Sequence, residues 1–251
     1  MSALVQHPEG GYRFLPGIAP YSCGVVASPG FEIVYVRWVR PLPYRQGMER
    51  IRSYMEESGR PLSAVCSMAL RCAEPYSFEG FNAFNKEYAN LLATWDVFVE
   101  GVNPVARTNV APVLNPPTEQ LLYAFAYTRP ASLSAASTFV VAGGGELPEG
   151  ALAAPDIFKR GDLSPAGIRA KAGFVMDLME TRLKGLQVTW DEVTALDVYT
   201  AHPVEPYLES EILKRAGASA MHGINWHWTR PPVKEIEFEM DLRGVRTELW
   251  I

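Results

Sequence analysis

The chain has 251 residues, 48% of them hydrophobic, and a formal net charge of -5 at pH 7. That is enough apolar sequence for a substantial core in one domain or two, and no Lys/Arg run exceeds two residues, which argues against nucleic acid, whose binders carry a basic stripe. No apolar segment approaches the roughly 18 residues of a membrane span, the start MSALVQHPEGGYRF lacks a signal-peptide pattern, and three cysteines form neither an even disulfide framework nor a CxxC or Cys/His metal cluster; the expectation is a reduced, cytoplasmic protein.

In chain order, FEIVYVRWV (31–39) reads as a strand. Residues 44–58 read as a helix with Met48, Ile51 and Met55 on one face, and Gly59 stands just past its end. A short strand follows, carrying Cys66 and Cys72 as small buried residues. A second helix places Phe78, Phe81, Phe84 and Tyr88 at helical spacing. NPVARTNVAPV (103–113) is an apolar, strand-like run bounded by prolines, yet it contains Arg107. An unpaired buried charge is costly, so Arg107 needs a partner in the protein or in a ligand. LLYAFAYT (121–128) closes this stretch as a strand.

STFVVAGGG (137–145) is the next strand. Ser164 as N-cap and Pro165 in the first turn open a helix through Ile168, Val175, Leu178 and Met179, with Gly185 as its expected end. Further on, His202 reads as a turn histidine. In NWHWTR (225–230), Trp226 and Trp228 share one face and His227 the other, as a packed or ligand-stacking wall, with packing the preferred reading. EIEFEMDL (235–242) alternates cleanly: Glu235, Glu237, Glu239 and Asp241 on one face, Ile236, Phe238, Met240 and Leu242 on the other. A solvated sheet face accounts for most of these acids.

The two halves echo each other. Gly59 and Gly185 are 126 residues apart, and at that offset residues 59–81 fall on 185–207, with Ser63 on Thr189, Leu70 on Leu196 and Phe81 on Tyr207. The closing strands fall 116 apart, because the first copy has a loop some ten residues longer. Repeats of this size argue for two copies of one α+β unit, with domains at 1–130 and 131–251.

Three strings carry a family resemblance: APYSCGVV (19–26), PVARTNV (104–110) and VKEIEFEMD (233–241). In that order they resemble the N-terminal strand, the Pro-Ala-Arg-Ser/Thr-x-Val motif and the closing Ile-Glu-Ile-Glu-Ala strand of the Rid/YjgF family. The resemblance covers nearly the whole chain, as two tandem Rid-like, chorismate mutase-like domains. It implies an α+β fold in which each mixed sheet is backed by two helices. It also implies threefold association, here a homotrimer of chains with six domains, and ligand sites in interdomain clefts. Characterised members hydrolyse enamines and imines without metal or organic cofactor. Close relatives deaminate 2-aminomuconate in aromatic degradation. Chorismatases are another branch with this fold.

The resemblance places a substrate carboxylate on Arg107, a role suited to a planar guanidinium that grips carboxylates bidentately. Tyr21, Asn109, Gly143 and Gly144 complete the implied binding set. Glu237 is the implied water-activating acid, since imine hydrolysis needs both water activation and nitrogen protonation. The pattern is split, however. The acid position of the first copy is Leu121, and the arginine position of the second is Gly223. Arg107 and Glu237 would have to meet across the two copies, whereas single-domain relatives draw both from one subunit. The expected function is a hydrolytic deaminase acting on an imine or enamine of a small carboxylated substrate, of the 2-aminoacrylate or 2-aminomuconate type. The alternatives are a chorismatase-like hydrolase, which asks for Arg37 or Arg71 beside Arg107, and a non-catalytic small-carboxylate binder.

Overall fold

Two mixed sheets face one another across an apolar layer, and helices cover the outer side of each. The structure is a computed structural model that describes residues 3–134, 136–151 and 153–251. The chain begins with β1 (Val5–Gln6), β2 (Tyr12–Leu15) and β3 (Gly24–Ala27). Next come β4 (Phe31–Pro43), α1 (Tyr44–Glu57), β5 (Val65–Arg71), α2 (Phe78–Ala93), β6 (Ala106–Pro112) and β7 (Leu121–Pro130). The second half runs β8 (Phe139–Gly145), α3 (Pro165–Leu186), β9 (Ala195–Tyr199), an irregular helical stretch over 205–222, β10 (Asn225–His227), β11 (Thr229–Arg230), β12 (Glu239–Gly244) and β13 (Thr247–Trp250).

One sheet is ordered β11-β6-β5-β7-β4-β13, the other β1-β2-β3-β8-β12-β9-β10. Within them, β4-β7-β5-β6 and β8-β12-β9-β10 share one order, and the last pair of each is parallel. The added strands cross over. β3 pairs with β8, so the N-terminal strands join the sheet of the second half. β13 pairs with β4, so the C-terminal strand joins the sheet of the first. A division of the chain at residue 130 therefore separates the helix-backed units but not the sheets.

Helix-forming signals act where they stand. Met48, Ile51 and Met55 bury the inner stripe of α1. Ser77 and Ser164 cap α2 and α3 by accepting from the N–H groups of Gly80 (3.1 Å) and Gly167 (3.0 Å). Gly59 follows α1 at φ +64°. Gly185 does not end α3: Gln187 does, in the left-handed conformation at φ 62°. Gly185 instead leaves room for Leu15, which a Cβ there would meet at 2.6 Å. Between the sheets, Ala69, Ala106, Ala124, Ala126 and Ala142 are small enough for the two layers to close on Tyr12, Phe14, Ile33 and Tyr35.

The closing strand starts later than its alternation suggests, at Glu239 rather than Glu235. The cause is a buried carboxylate. Glu146 accepts the backbone N–H of Glu237 (2.7 Å) and of Phe238 (3.0 Å), taking both out of any ladder. Glu146 is in turn paired with Lys171 of α3 at 2.9 Å, both side chains fully buried. Glu235 lies outside the sheet at φ 74° and pairs with Arg160. The second helix of the second half is also less regular than expected, passing through α, π and 3-10 turns. No helix among the described residues is long and apolar enough to cross a membrane.

Removing one partner of a buried pair strands the other's charge, so Lys171→Ala should cost about 3–5 kcal/mol in urea unfolding, while Lys184→Ala, which removes a surface pair, should cost under about 1 kcal/mol. Similar costs for the two would mean that the buried pair does not organise this region.

Candidate active site

Arg107 projects from the start of β6 and is 3% exposed. Its Nη2 donates to Asn85 Oδ1 at 2.6 Å, while Nη1 is buried with no partner among the described residues. The guanidinium carbon lies 4.5 Å from the ring centre of Tyr21 and 4.6 Å from that of Tyr88. Aromatic faces stabilise the cation but satisfy no N–H. No carboxylate forms an ion pair with Arg107 among the described residues. One buried donor is thus left for an anion.

Arg107 lines a cleft between the two halves of the chain. Tyr21, Asn109, Gly143 and Gly144 all line it with Arg107. Asn109 accepts from Gln120 Nε2 at 3.1 Å, and its own Nδ2 is buried without a partner. Gly143 sits directly over the Glu239 carboxylate, so any side chain there would take the space the acid occupies. Gly144 lets β8 approach Leu178 and Arg182 of α3. The register of β8 against β12 slips at this point, between Met240 and Leu242.

Glu237 is not in the cleft. Its carboxylate accepts from His202 Nε2 at 2.9 Å near the surface, so His202 is the partner of an acid rather than an isolated turn residue. The acid that lines the cleft with Arg107 is Glu239, two residues on, which is 5% exposed. The face is solvated only in part: Glu235 is exposed and Glu237 half-buried, but Glu239 and Asp241 are buried in the layer between the sheets. Burial pushes the Glu239 carboxyl up to about 8, the Asp241 charge adds to this, and the Arg182 and Arg107 charges oppose it. Desolvation wins, so Glu239 is largely protonated at neutral pH. Asp241 accepts from Thr108 (2.6 Å) and Tyr199 (2.9 Å), and burial together with the Asp197 charge raises it too.

A second buried arginine completes the cleft. Arg182 of α3 donates through Nη1 to the carbonyl oxygens of Ala142 (2.8 Å) and Gly143 (3.2 Å) and through Nε to Glu149 Oε1 at 2.7 Å. Sequence reasoning missed it because it sits on a helix among apolar positions, where a long side chain reads as surface. The other arginines considered lie elsewhere. Arg71 stacks on Tyr123 with its guanidinium carbon 3.9 Å from the ring centre, and Arg37 pairs with Glu248. Leu121 and Gly223 stand outside the cleft. His227 Nε2 donates to Asp197 Oδ1 at 2.8 Å and its ring stacks on Tyr199, while Trp226 and Trp228 stack on each other at 5.7 Å with Trp228 half exposed. Among the described residues, no group of three or more His, Cys, Asp or Glu side chains is placed to hold a metal ion.

The comparisons extend over nearly the whole chain. The family described as "2-aminomuconate deaminase CnbZ" matches residues 4–249. A 2-amino-5-chloromuconate deaminase of Comamonas testosteroni is 39% identical over 250 residues, which is 99% of each chain. Among solved structures, a chorismatase superposes with a TM-score of 0.50 at 10% identity, covering 94% of this chain and 77% of that one. That last likeness is one of fold.

A carboxyl raised from 4.5 to about 8 keeps its proton in the folded state where the unfolded chain has lost it. The stabilisation is complete below the unfolded value and is lost as pH rises through about 8. Wild-type stability in urea should therefore fall between about pH 5 and pH 9, and Glu239→Gln, neutral throughout, should fall less. Equal falls would show that Glu239 is ionised in the fold at neutral pH.

Proposed function

This chain belongs to the 2-aminomuconate deaminase CnbZ family and is a deaminase; from that premise we propose that it releases ammonia hydrolytically from the enamine or imine of a small carboxylated substrate of the 2-aminomuconate type. The observation that carries the reading is the pairing, in one cleft, of an arginine with a free buried donor and a carboxyl poised to hold a proton. Arg107 and Asn109 take the carboxylate beside the amino-bearing carbon. That anchoring sets the reacting carbon under Glu239.

The proton balance follows from the chemistry of enamines. Glu239 in its neutral form gives its proton to the carbon β to nitrogen, and the C=C electron pair makes that bond as the nitrogen lone pair forms C=N. The product is an iminium ion held next to a newly formed carboxylate. Water then adds to the C=N carbon while the Glu239 carboxylate takes one of its protons. Glu239 passes this proton to nitrogen in the carbinolamine. The C–N bond breaks as ammonia leaves and the hydroxyl becomes a carbonyl, with its proton released to restore the neutral acid. The sum is substrate plus water giving a 2-oxo acid plus ammonia. A carboxyl near 8 suits both directions of transfer at neutral pH.

In the same reading the two helix-backed units are tandem Rid-like domains. Their shared strand order supports this, and the active pair is composite, with Arg107 from the first unit and Glu239 from the second. In this reading the chain closes as a trimer. The outer edge strand β13 and its neighbour β4 leave Val39 and Trp250 exposed, apolar surface of the kind that subunit contacts cover. A strictly monomeric species in solution scattering would be inconsistent with that assembly.

Replacing Arg107 by Ala should lower kcat/KM for 2-aminomuconate by about 10²–10³-fold, the cost of removing one partner of a buried charge pair. Unaltered turnover would sink the carboxylate-anchoring role. Activity should decline as pH rises through about 8, when the acid loses its proton, and Glu239→Gln should lose about 10²–10⁴-fold with no such limb remaining. Loss of activity in Glu237→Gln with retention in Glu239→Gln would restore Glu237 to the central role.

A further inference from the structure

The Arg182 guanidinium has one edge committed to the fold and one edge only half used. Its Nη1 is held by the Ala142 and Gly143 carbonyls. Nε donates to Glu149 Oε1 at 2.7 Å, and Nη2 has no hydrogen-bond partner among the described residues. The Nε–Nη2 edge is the one on which a carboxylate could sit with two parallel bonds. Glu149 occupies a single corner of it.

The two partners are held very differently. The Arg182 side chain is 6% exposed, whereas that of Glu149 is 43% exposed. Arg182 is fixed by α3 and by two backbone carbonyls. Glu149 stands on the turn at the cleft mouth, next to Gly150 at φ +81°. Its carboxylate can return to water at little cost, because half-exposed ion pairs are weak. The arginine cannot, since it is buried and needs an anion. Cys23, on the same wall, contributes only a thiol that burial pushes up to about 11, so it supplies no competing charge.

We propose that Glu149 is a resident stand-in for a second substrate carboxylate. A dicarboxylate spans the cleft with one end on Arg107 and the other on the Nε–Nη2 edge of Arg182, and Glu149 turns out to solvent as it binds. A monocarboxylate satisfies Arg107 alone and leaves the Glu149 pair in place, so it gains nothing from Arg182. Arg182 and Glu149 are thus specificity-determining residues for unsaturated dicarboxylates. This rests on the deaminase reading of the same cleft.

The test uses two unreactive probes, both without an amino group: muconate, a six-carbon dienedioate, and sorbate, its monocarboxylate counterpart. In calorimetry on the full chain, Glu149→Ala removes the competitor and should tighten muconate about three- to tenfold while sorbate stays within about twofold. Arg182→Gln should weaken muconate about 100-fold and leave sorbate within about twofold. Muconate weakened by Glu149→Ala, or both probes shifted equally by it, would overturn the proposal, and that variant remains informative if Arg182→Gln fails to fold. Ammonia release from 2-aminomuconate with muconate binding indifferent to both residues overturns the clamp alone. Muconate binding that depends on both residues, with no ammonia released from 2-aminomuconate, upholds the clamp and overturns the deaminase reading instead.

Discussion

The Glu146 carboxylate, buried against Lys171, is the constraint on which the arrangement of the site depends. It stands just after the glycines that end β8 and captures the two N–H groups that precede β12. An ion pair with no exposure is a costly thing to build. Here it terminates one strand and starts its neighbour at a defined residue. Glu237 is thereby turned outward to His202, and Glu239 is the first side chain delivered between the sheets.

Once Glu239 is inside, its chemistry is set by a contest of magnitudes. Burial disfavours the charged form, and Asp241 on the same strand reinforces that. Two arginines pull the other way but do not prevail. Arg107 and Arg182 are themselves engaged, the first with Asn85 and aromatic faces, the second with Glu149 and backbone carbonyls. The result is a neutral acid beside a cation with a spare donor.

Neither half of the chain could assemble this alone. The first supplies Arg107 and Asn109 on β6 and Tyr21 before β3; the second supplies the β8 glycines, Arg182 and Glu239. The halves are tied by exchange of edges, with β3 in the sheet of the second and β13 in the sheet of the first. Small side chains on the facing surfaces allow the sheets to close until Thr108 of one reaches Asp241 of the other at 2.6 Å. Leu121 and Gly223 both stand outside the cleft, which draws its lining from both halves of the chain.

Local patterns by themselves determined a good deal: the positions of α1 and α3 from their apolar stripes and caps, the echo between the halves, and Arg107 as a charge that needed a partner. The family resemblance, rather than local pattern, pointed to Tyr21, Asn109, Gly143 and Gly144, all of which line the cleft. These features are legible because they depend on spacing along the chain and on the cost of burying a charge. Tertiary structure alone decided which acid shares the cleft with that arginine. Alternation of period two continues unbroken through Glu235, Glu237 and Glu239, and nothing local shows that Glu146, ninety-one residues before Glu237, withdraws two N–H groups from the ladder. Arg182 was hidden for the same reason: whether a helical arginine meets water or a cleft depends on what packs against that helix, and here it is a strand of glycines.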